Sequence, residues 1–291
     1  VEPVSQAQYD AMMRTQLTEL AGYGNTSEFW TNGAIEGPSA SELTTQLARL
    51  FPTATCHSCH GVPTANNIRW VGTGELAFGP QPSWMAVDST SNYSAHGHSG
   101  DPLGKIYDPP SCDAVLREHC WFGGHAYRPG HCKLSSTENL LRKYMTSVGR
   151  SCNLILNIAP DTHGSVHPEE IAAYASMGKA VDCTFATPLA QTPAGKSLPM
   201  DAAGVVEWRI PGGGVACQDC GLVLMEELGA GQLIGNYSLL CQYKAAWEPC
   251  TMGNLTLDGA RVTDAELIPG IGHKRIVMLE TGAPLLGLRL V

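Results

Sequence analysis

Cys56-His57-Ser58-Cys59-His60 packs more reactive groups into five residues than any other run in the chain. Two cysteines separated by two residues and followed by His is the spacing that attaches c-type haem. With Cys217-Gln218-Asp219-Cys220 the same pair offers four sulfurs of the kind that hold structural zinc. His119, His125 and His131 recur every six residues, a spacing that matches neither a helix face nor a strand face. His96 and His98 either share one strand face or sit in a solvated loop. Asn32-Gly33 is a pair prone to deamidation, which would turn a neutral amide into a carboxylate.

Composition weighs against the metal readings. The chain has eleven cysteines and four Asn-X-Ser/Thr sequons, at Asn25, Asn92, Asn236 and Asn254. Together these point to a secreted, lysosomal or cell-surface protein with several disulfides. The cysteines of both short motifs then read as disulfide partners, bonded locally or elsewhere. No metal site and no cofactor are expected. An odd cysteine count leaves one thiol free or bonded to another chain.

The bulk numbers exclude further classes. With 291 residues, 43% hydrophobic and 15% charged, the chain can build substantial cores and is not disordered. A net charge of -9 argues against a nucleic-acid partner. No apolar run reaches the roughly 18 residues of a membrane span. The chain opens at Val1 with neither Met nor a signal-peptide pattern, so it is expected to be processed or incompletely represented.

The elements that must hold these residues follow from periodicity. Tyr9, Met12, Met13, Leu17 and Leu20 predict a helix over 5–22, ended by Gly22 and Gly24. A strand over 27–31 comes next. Ser39-Ala40-Ser41-Glu42 caps a helix running to Leu50. Strands are predicted over 53–60 and 68–71, and residues 72–135 read as an irregular stretch. A helix opens at Ser135-Ser136-Thr137-Glu138, a strand runs from Cys152 to Ile158, and Pro168-Glu169-Glu170 opens a helix to Val181. This alternation predicts a parallel sheet with crossover helices. After a Pro-rich linker come short β-like runs over 204–210, 221–228, 233–243, 254–258, 274–279 and 285–291, which predict a β-sandwich. The boundary is placed near residue 187.

Several runs, in order, resemble the α-L-fucosidases of glycoside hydrolase family 29. Glu28-Phe29-Trp30-Thr31-Asn32-Gly33 resembles the strand that carries the family's catalytic nucleophile. Asn67-Ile68-Arg69-Trp70-Val71-Gly72 resembles its Arg-Trp-Val/Ile-Gly strand. Pro109-Pro110-Ser111-Cys112-Asp113 resembles Pro-Ala-Glu-Cys-Asp, and Cys120-Trp121-Phe122 resembles Gly-Trp-Phe. Ser147-Val148-Gly149-Arg150 with Asn153 to Asp161 resembles Ser-Val-Gly-Arg followed by Asn-Leu-Leu-Leu-Asn-Ile-Pro-Pro-Asp. Leu224 to Glu227, Gly231-Gln232, Trp247 and Gly270 to Ile276 resemble the family's C-terminal domain.

The resemblance implies a partial (β/α) TIM-type barrel over 1–187 followed by a carbohydrate-binding-like β-sandwich over 188–291. It implies a retaining hydrolase that removes terminal fucose from glycans, using two carboxyl groups about 5–5.5 Å apart. Asn32 stands at the nucleophile position, where the family has Asp. Glu75 is the acid/base candidate if the loop carries a one-residue insertion, and otherwise a surface carboxylate. Trp30, Arg69, Trp70, Trp121 and Phe122 are the substrate-binding candidates; Trp121 and Phe122 read equally well as core aromatics. Ser111 replaces the family's Glu, and Gly123-Gly124 replaces its His or aromatic residue, with His125 nearby. Nothing corresponds to the first half of the family's barrel, so another chain or segment is expected to complete it. The alternative is a non-catalytic extracellular protein that binds glycans or serves a structural assembly on the same scaffold.

Overall fold

A computed structural model describes residues 4–30, 40–57, 67–73, 84–87, 99–118, 120–121, 132–194, 196–216, 219–257, 260–262 and 269–291. The chain divides into two units, Val1–Val71 with Met85–Ser111 and Gly72–Trp84 with Cys112–Val291.

In the first unit, α1 (Gln6–Gly22) starts at Ser5. The Ser5 hydroxyl accepts from the Gln8 N–H, and the Gln8 side chain accepts from the Ser5 N–H. This reciprocal cap satisfies backbone donors that the first helical turn cannot. β1 (Glu28–Trp30), α2 (Ala40–Leu50), β2 (Thr55–His57) and β3 (Asn67–Thr73) follow. β1 and β2 pair in parallel with Trp30 opposite His57, and β2 pairs with β3 with His57 opposite Ile68. Leu17, Leu43, Leu47, Phe51, Ala54 and Cys56 form one buried cluster, with the rings of Phe29 and Phe51 4.4 Å apart.

The apolar stripe of α1 is wider than its seat. Leu17 and Asp10 are buried, and Met13 and Ala21 pack beside the cluster. The neighbouring face keeps Tyr9, Met12 and Leu20 at 47%, 45% and 47% exposure. Gln46 of α2 donates to the Arg14 carbonyl and to Thr18, which fixes the face that α1 turns inward.

Two short strands, β4 (Ala86–Val87) and β5 (Ile106–Tyr107), pair antiparallel. Next comes β6 (Pro110–Val115), in the stretch expected to be irregular. All six of its residues are buried. A strand covered on both faces has no polar alternation to reveal it, and Pro at a first strand position forfeits no interior ladder bond.

The second unit contains most of β6, then α3 (Thr137–Ser147), β7 (Asn153–Asn157) and α4 (Pro168–Phe185). The sheet order is β1-β2-β3-β6-β7. Ser136 caps α3 by accepting from the Asn139 N–H. Pro168 opens α4 with Glu169 and Glu170 in its first turn, where carboxylates complement the helix dipole. Leu116, Leu140 and Met177 form a core packed against Leu154, Leu156 and Ile158.

Beyond α4 the chain forms antiparallel sheets. β8 (Val206–Arg209), β9 (Asp219–Leu224), β10 (Leu239–Gln242), β11 (Trp247–Pro249) and β12 (Thr251–Met252) come first. The hairpin of β13 (Thr256–Leu257) and β14 (Ala260–Arg261) is followed by β15 (Arg275–Glu280) and β16 (Gly287–Leu290). One sheet has the order β11-β10-β16-β8 and another the order β12-β15-β9. β11 and β12 fall outside the predicted runs, because Glu248, Pro249 and Cys250 break any period. Leu239, Cys241, Leu288 and Leu290 of the first sheet share a buried cluster with Val277 and Leu279 of the second. The other face of β15 packs Ile276 and Met278 against Leu141 and Met145 of α3 and Phe185 of α4.

The turn from α3 into β7 locks onto the second sheet. The Ile276 N–H donates to the Gly149 carbonyl. Ser151 has a φ of 65°, in the left-handed region. Its hydroxyl reaches the carbonyls of Ile271 and Lys274 and accepts from the Lys274 N–H. Glu226 accepts from the backbone N–H groups of Leu233, Ile234 and Gly272.

Disulfides join Cys120 to Cys132 and Cys241 to Cys250. Cys56 and Cys220 are also disulfide-bonded, which consumes sulfurs that haem attachment or a four-cysteine zinc site would need. Cys112 is a buried thiol and Cys183 an exposed one.

Candidate active site

Barrel enzymes assemble their sites at the C-terminal ends of their strands. Trp30 is the last residue of β1 and His57 the last of β2. The parallel register sets them side by side, with ring centres 4.4 Å apart and planes inclined by 34°. Asn32 follows Trp30 by two residues in the sequence.

His57 is fully buried. Burial pushes its imidazole down to about 4, so at neutral pH the ring carries no charge. A neutral ring at the strand end packs against Trp30 and brings no cation to pair with an anionic neighbour. Sequence reasoning had this residue only as part of a haem motif. The signal that could have found it is its place at a strand end, in step with Trp30.

Arg69 lies on β3 and is 1% exposed. Its Nη1 donates to the Asp108 carbonyl at 2.7 Å, and its backbone N–H donates to the Pro109 carbonyl. Trp70, the next residue on β3, is half-buried. Trp30 and Arg69 are therefore brought into one sheet, with β2 between their strands.

In the second unit, Trp121 is 47% exposed. Its carbonyl accepts from Asn157 Nδ2 at 3.3 Å. Asn157 is the last residue of β7, and its Oδ1 is buried without a protein partner. Asn157 is a second residue that sequence reasoning left without a role. Arg117 lies just past β6. Its Nε meets Glu170 Oε1 at 2.6 Å, its Nη2 meets Glu169 Oε2 at 3.2 Å, and its Nη1 donates to the Cys132 carbonyl at 3.0 Å. Arg117 and Glu170 are 4% and 0% exposed, a buried pair that, with the Cys132 carbonyl, ties the end of β6 to the start of α4.

Asn32, Glu75, Phe122 and the sequon residue Asn92 lie outside the described residues. Asn25 and Asn236 are exposed, and Asn254 is partly buried. Among the described residues no group of three His, Cys, Asp or Glu is arranged to hold a metal, and no helix is long and apolar enough to cross a membrane.

No family model matches the chain. Over 197 residues it is 25% identical to α-L-fucosidase 1 of Arabidopsis thaliana, a match covering 63% of this chain and 37% of that protein. A Bacteroides thetaiotaomicron structure assigned as an α-L-fucosidase superposes with a TM-score of 0.73 at 21% identity, over 100% of this chain and 66% of that one. A family 29 fucosidase of Ruminococcus gnavus, solved in complex with fucose, gives a TM-score of 0.65 at 17% identity, over 99% of this chain and 64% of that one. The fold is that of the family 29 α-L-fucosidases.

The partial barrel followed by antiparallel sheets is the expected architecture in outline. The chain spans about a third of the length of the plant relatives it matches, 37% of one and 30% of a second from Oryza sativa.

Proposed function

We propose that this chain is the C-terminal part of an α-L-fucosidase-family glycoside hydrolase that takes terminal fucose on glycans. Its junction falls near residue 187, between barrel and β-sandwich. Asn32 occupies the nucleophile position and Glu75 the acid/base position. Trp30, Arg69, Trp70, Trp121 and Phe122 shape the pocket. The reading is carried by one observation: Trp30 and His57 stand in register at the ends of adjacent parallel strands, immediately before the fucosidase-like Thr31-Asn32-Gly33.

The retaining reaction needs a carboxylate that attacks the anomeric carbon and forms an ester. A neutral Asn amide is a poor substitute. Hydrolysis by the native chain is therefore crippled, and glycan binding is the activity that persists. Asn32 also favours the second reading, a glycan-binding or structural protein on the same scaffold, in which no residue takes over the chemistry.

We also propose that another chain or segment completes the barrel. Among the described residues β1 and β7 are the terminal strands of their sheet. An open edge invites pairing. The outer face of α1 leaves Tyr9, Met12 and Leu20 as exposed apolar surface. The exposed thiol of Cys183 is available for an interchain bond. Disulfides and exposed sequons support a secreted, lysosomal or cell-surface location.

Titration of the native protein with L-fucose, followed by calorimetry or NMR, tests the assignment. Binding is expected, together with hydrolysis of 4-nitrophenyl α-L-fucoside far below that of an Asp-bearing family member. Absence of fucose binding overturns it. Intact mass before and after reduction tests for an attached second chain.

A further inference from the structure

The outer face of the sheet β11-β10-β16-β8 carries a built polar and aromatic platform. The pairings place Trp247, Gln242, Gly287 and Arg209 in one row across the four strands, and Pro249, Leu240, Arg289 and Glu207 in the next. The residues between them, including Cys241, Leu288 and Trp208, turn to the opposite face and the core.

The side chains on this face are held together. A Cβ at Gly287 would lie 3.0 Å from Trp247 Cη2 and 3.4 Å from Gln242 Oε1. The indole thus lies in a shallow seat that exists because position 287 has no side chain. The guanidinium of Arg289 sits 4.3 Å from the centre of the Trp247 ring, and that of Arg209 at 5.1 Å. Glu207 binds both arginines. Its Oε1 accepts from Arg209 Nε at 2.5 Å and its Oε2 from Arg289 Nε at 2.7 Å and Nη2 at 2.6 Å. Arg209 Nη1 donates to Gln242 Oε1.

Two guanidiniums against one carboxylate leave a local positive charge on a chain whose net charge is -9. Arg209 Nη2 and Arg289 Nη1 take no part in these contacts. The Arg209 side chain is 60% exposed and that of Arg289 33%. Guanidiniums fixed in this way lose little freedom on meeting an anion, and carboxylates and phosphates are the oxyanions their N–H donors recognise; of the two, the carboxylate is the one a glycan-directed face meets on an acidic sugar. Trp247, Pro249 and Leu240 line the same face with apolar surface, which suits the C–H faces of a pyranose.

We propose that this face binds a glycan through a carboxylated sugar, separately from the barrel site. The carboxylate lies across the outward nitrogens of Arg209 and Arg289, and the sugar ring rests beside Trp247. The choice of a carboxylated sugar rests on the glycan-directed reading above; the preference for an anion rests on the guanidiniums.

The test is ligand-observed NMR of the native protein with 3′-sialyllactose and with lactose, repeated on Arg209→Gln and Trp247→Ala. Arg209 is the most exposed member of the network, and its replacement leaves the core intact. Saturation transfer to sialyllactose and none to lactose is expected, with affinity falling about tenfold or more in Arg209→Gln and in Trp247→Ala. Higher salt should weaken binding. Equal binding of both sugars, no binding of sialyllactose, undiminished binding by Arg209→Gln, or binding of a sulfated disaccharide or an acidic peptide in its place overturns the proposal. L-Fucose binding is measured in the same samples. Its loss with sialyllactose binding retained counts against the barrel reading and leaves this one standing.

Discussion

The indole of Trp30 lies against the imidazole of His57, their ring centres 4.4 Å apart, at the ends of two adjacent parallel strands. The stack explains why a histidine can be buried there: its neighbour is a flat apolar face, and its proton is given up to avoid burying a charge.

Stability is predicted to depend on pH through His57. The unfolded chain binds the imidazole proton near 6.5, the folded chain only near about 4. Between these values the unfolded state holds more protons, so stability rises with pH across that window. The contribution of neutral His57 is complete above pH 6.5 and is lost as pH falls through about 4. Urea unfolding at several pH values, native beside His57→Phe, checks this. The fall in midpoint over the window should be smaller in the variant.

The turn at Ser151 should be sensitive to single atoms. Ser151→Ala removes the hydroxyl that joins the carbonyls of Ile271 and Lys274 and the Lys274 N–H. A loss of about 1–3 kcal/mol is expected, since buried backbone groups are left unsatisfied. Gly272→Ala should also destabilise. Gly272 has a φ of 64°, and a Cβ there would lie 2.8 Å from Ser151 Oγ. Denaturant midpoints report both effects.

Arg117→Ala is predicted to cost about 3–5 kcal/mol, the range for removing one partner of a buried ion pair. Glu170 would be left fully buried without this partner. The same change frees the Cys132 carbonyl, so the disulfide loop should become more open to limited proteolysis. Thermal unfolding together with proteolysis separates this from a general loss of fold.

Asn25 and Asn236 are exposed and are predicted to carry N-glycans when the protein is made through a eukaryotic secretory route. Asn25→Gln and Asn236→Gln should each lower the intact mass by one glycan. Unchanged masses would contradict the secreted assignment.

Much of the fold was legible because its signals are local. The run Asn153 to Asn157 is apolar enough to read as a strand, and Pro168-Glu169-Glu170 announces α4 by helix-start chemistry alone. β6 was hidden because burial on both faces erases alternation, and because Pro109-Pro110 reads as a break. β11 was hidden by its length and by Glu248 and Pro249. Trp30 and Arg69 were singled out as site candidates through motif resemblance. His57 was not, because its place beside Trp30 depends on the register between two strands, a relation no local window contains. Asn157 is a similar case, since its partner is a carbonyl 36 residues away in the chain. The platform around Trp247 needs four strands paired in register before its residues share a face.

The central claim is that the scaffold holds fucose while Asn32 withholds the chemistry. Its most direct test is the rate of 4-nitrophenyl α-L-fucoside hydrolysis by the native protein and by Asn32→Asp, with fucose affinity measured on both. A rise of about a thousandfold or more in kcat/KM for Asn32→Asp, at similar fucose affinity, is the predicted result, the scale on which covalent nucleophiles matter. Equal rates in the two proteins, whether both high or both absent, would contradict it.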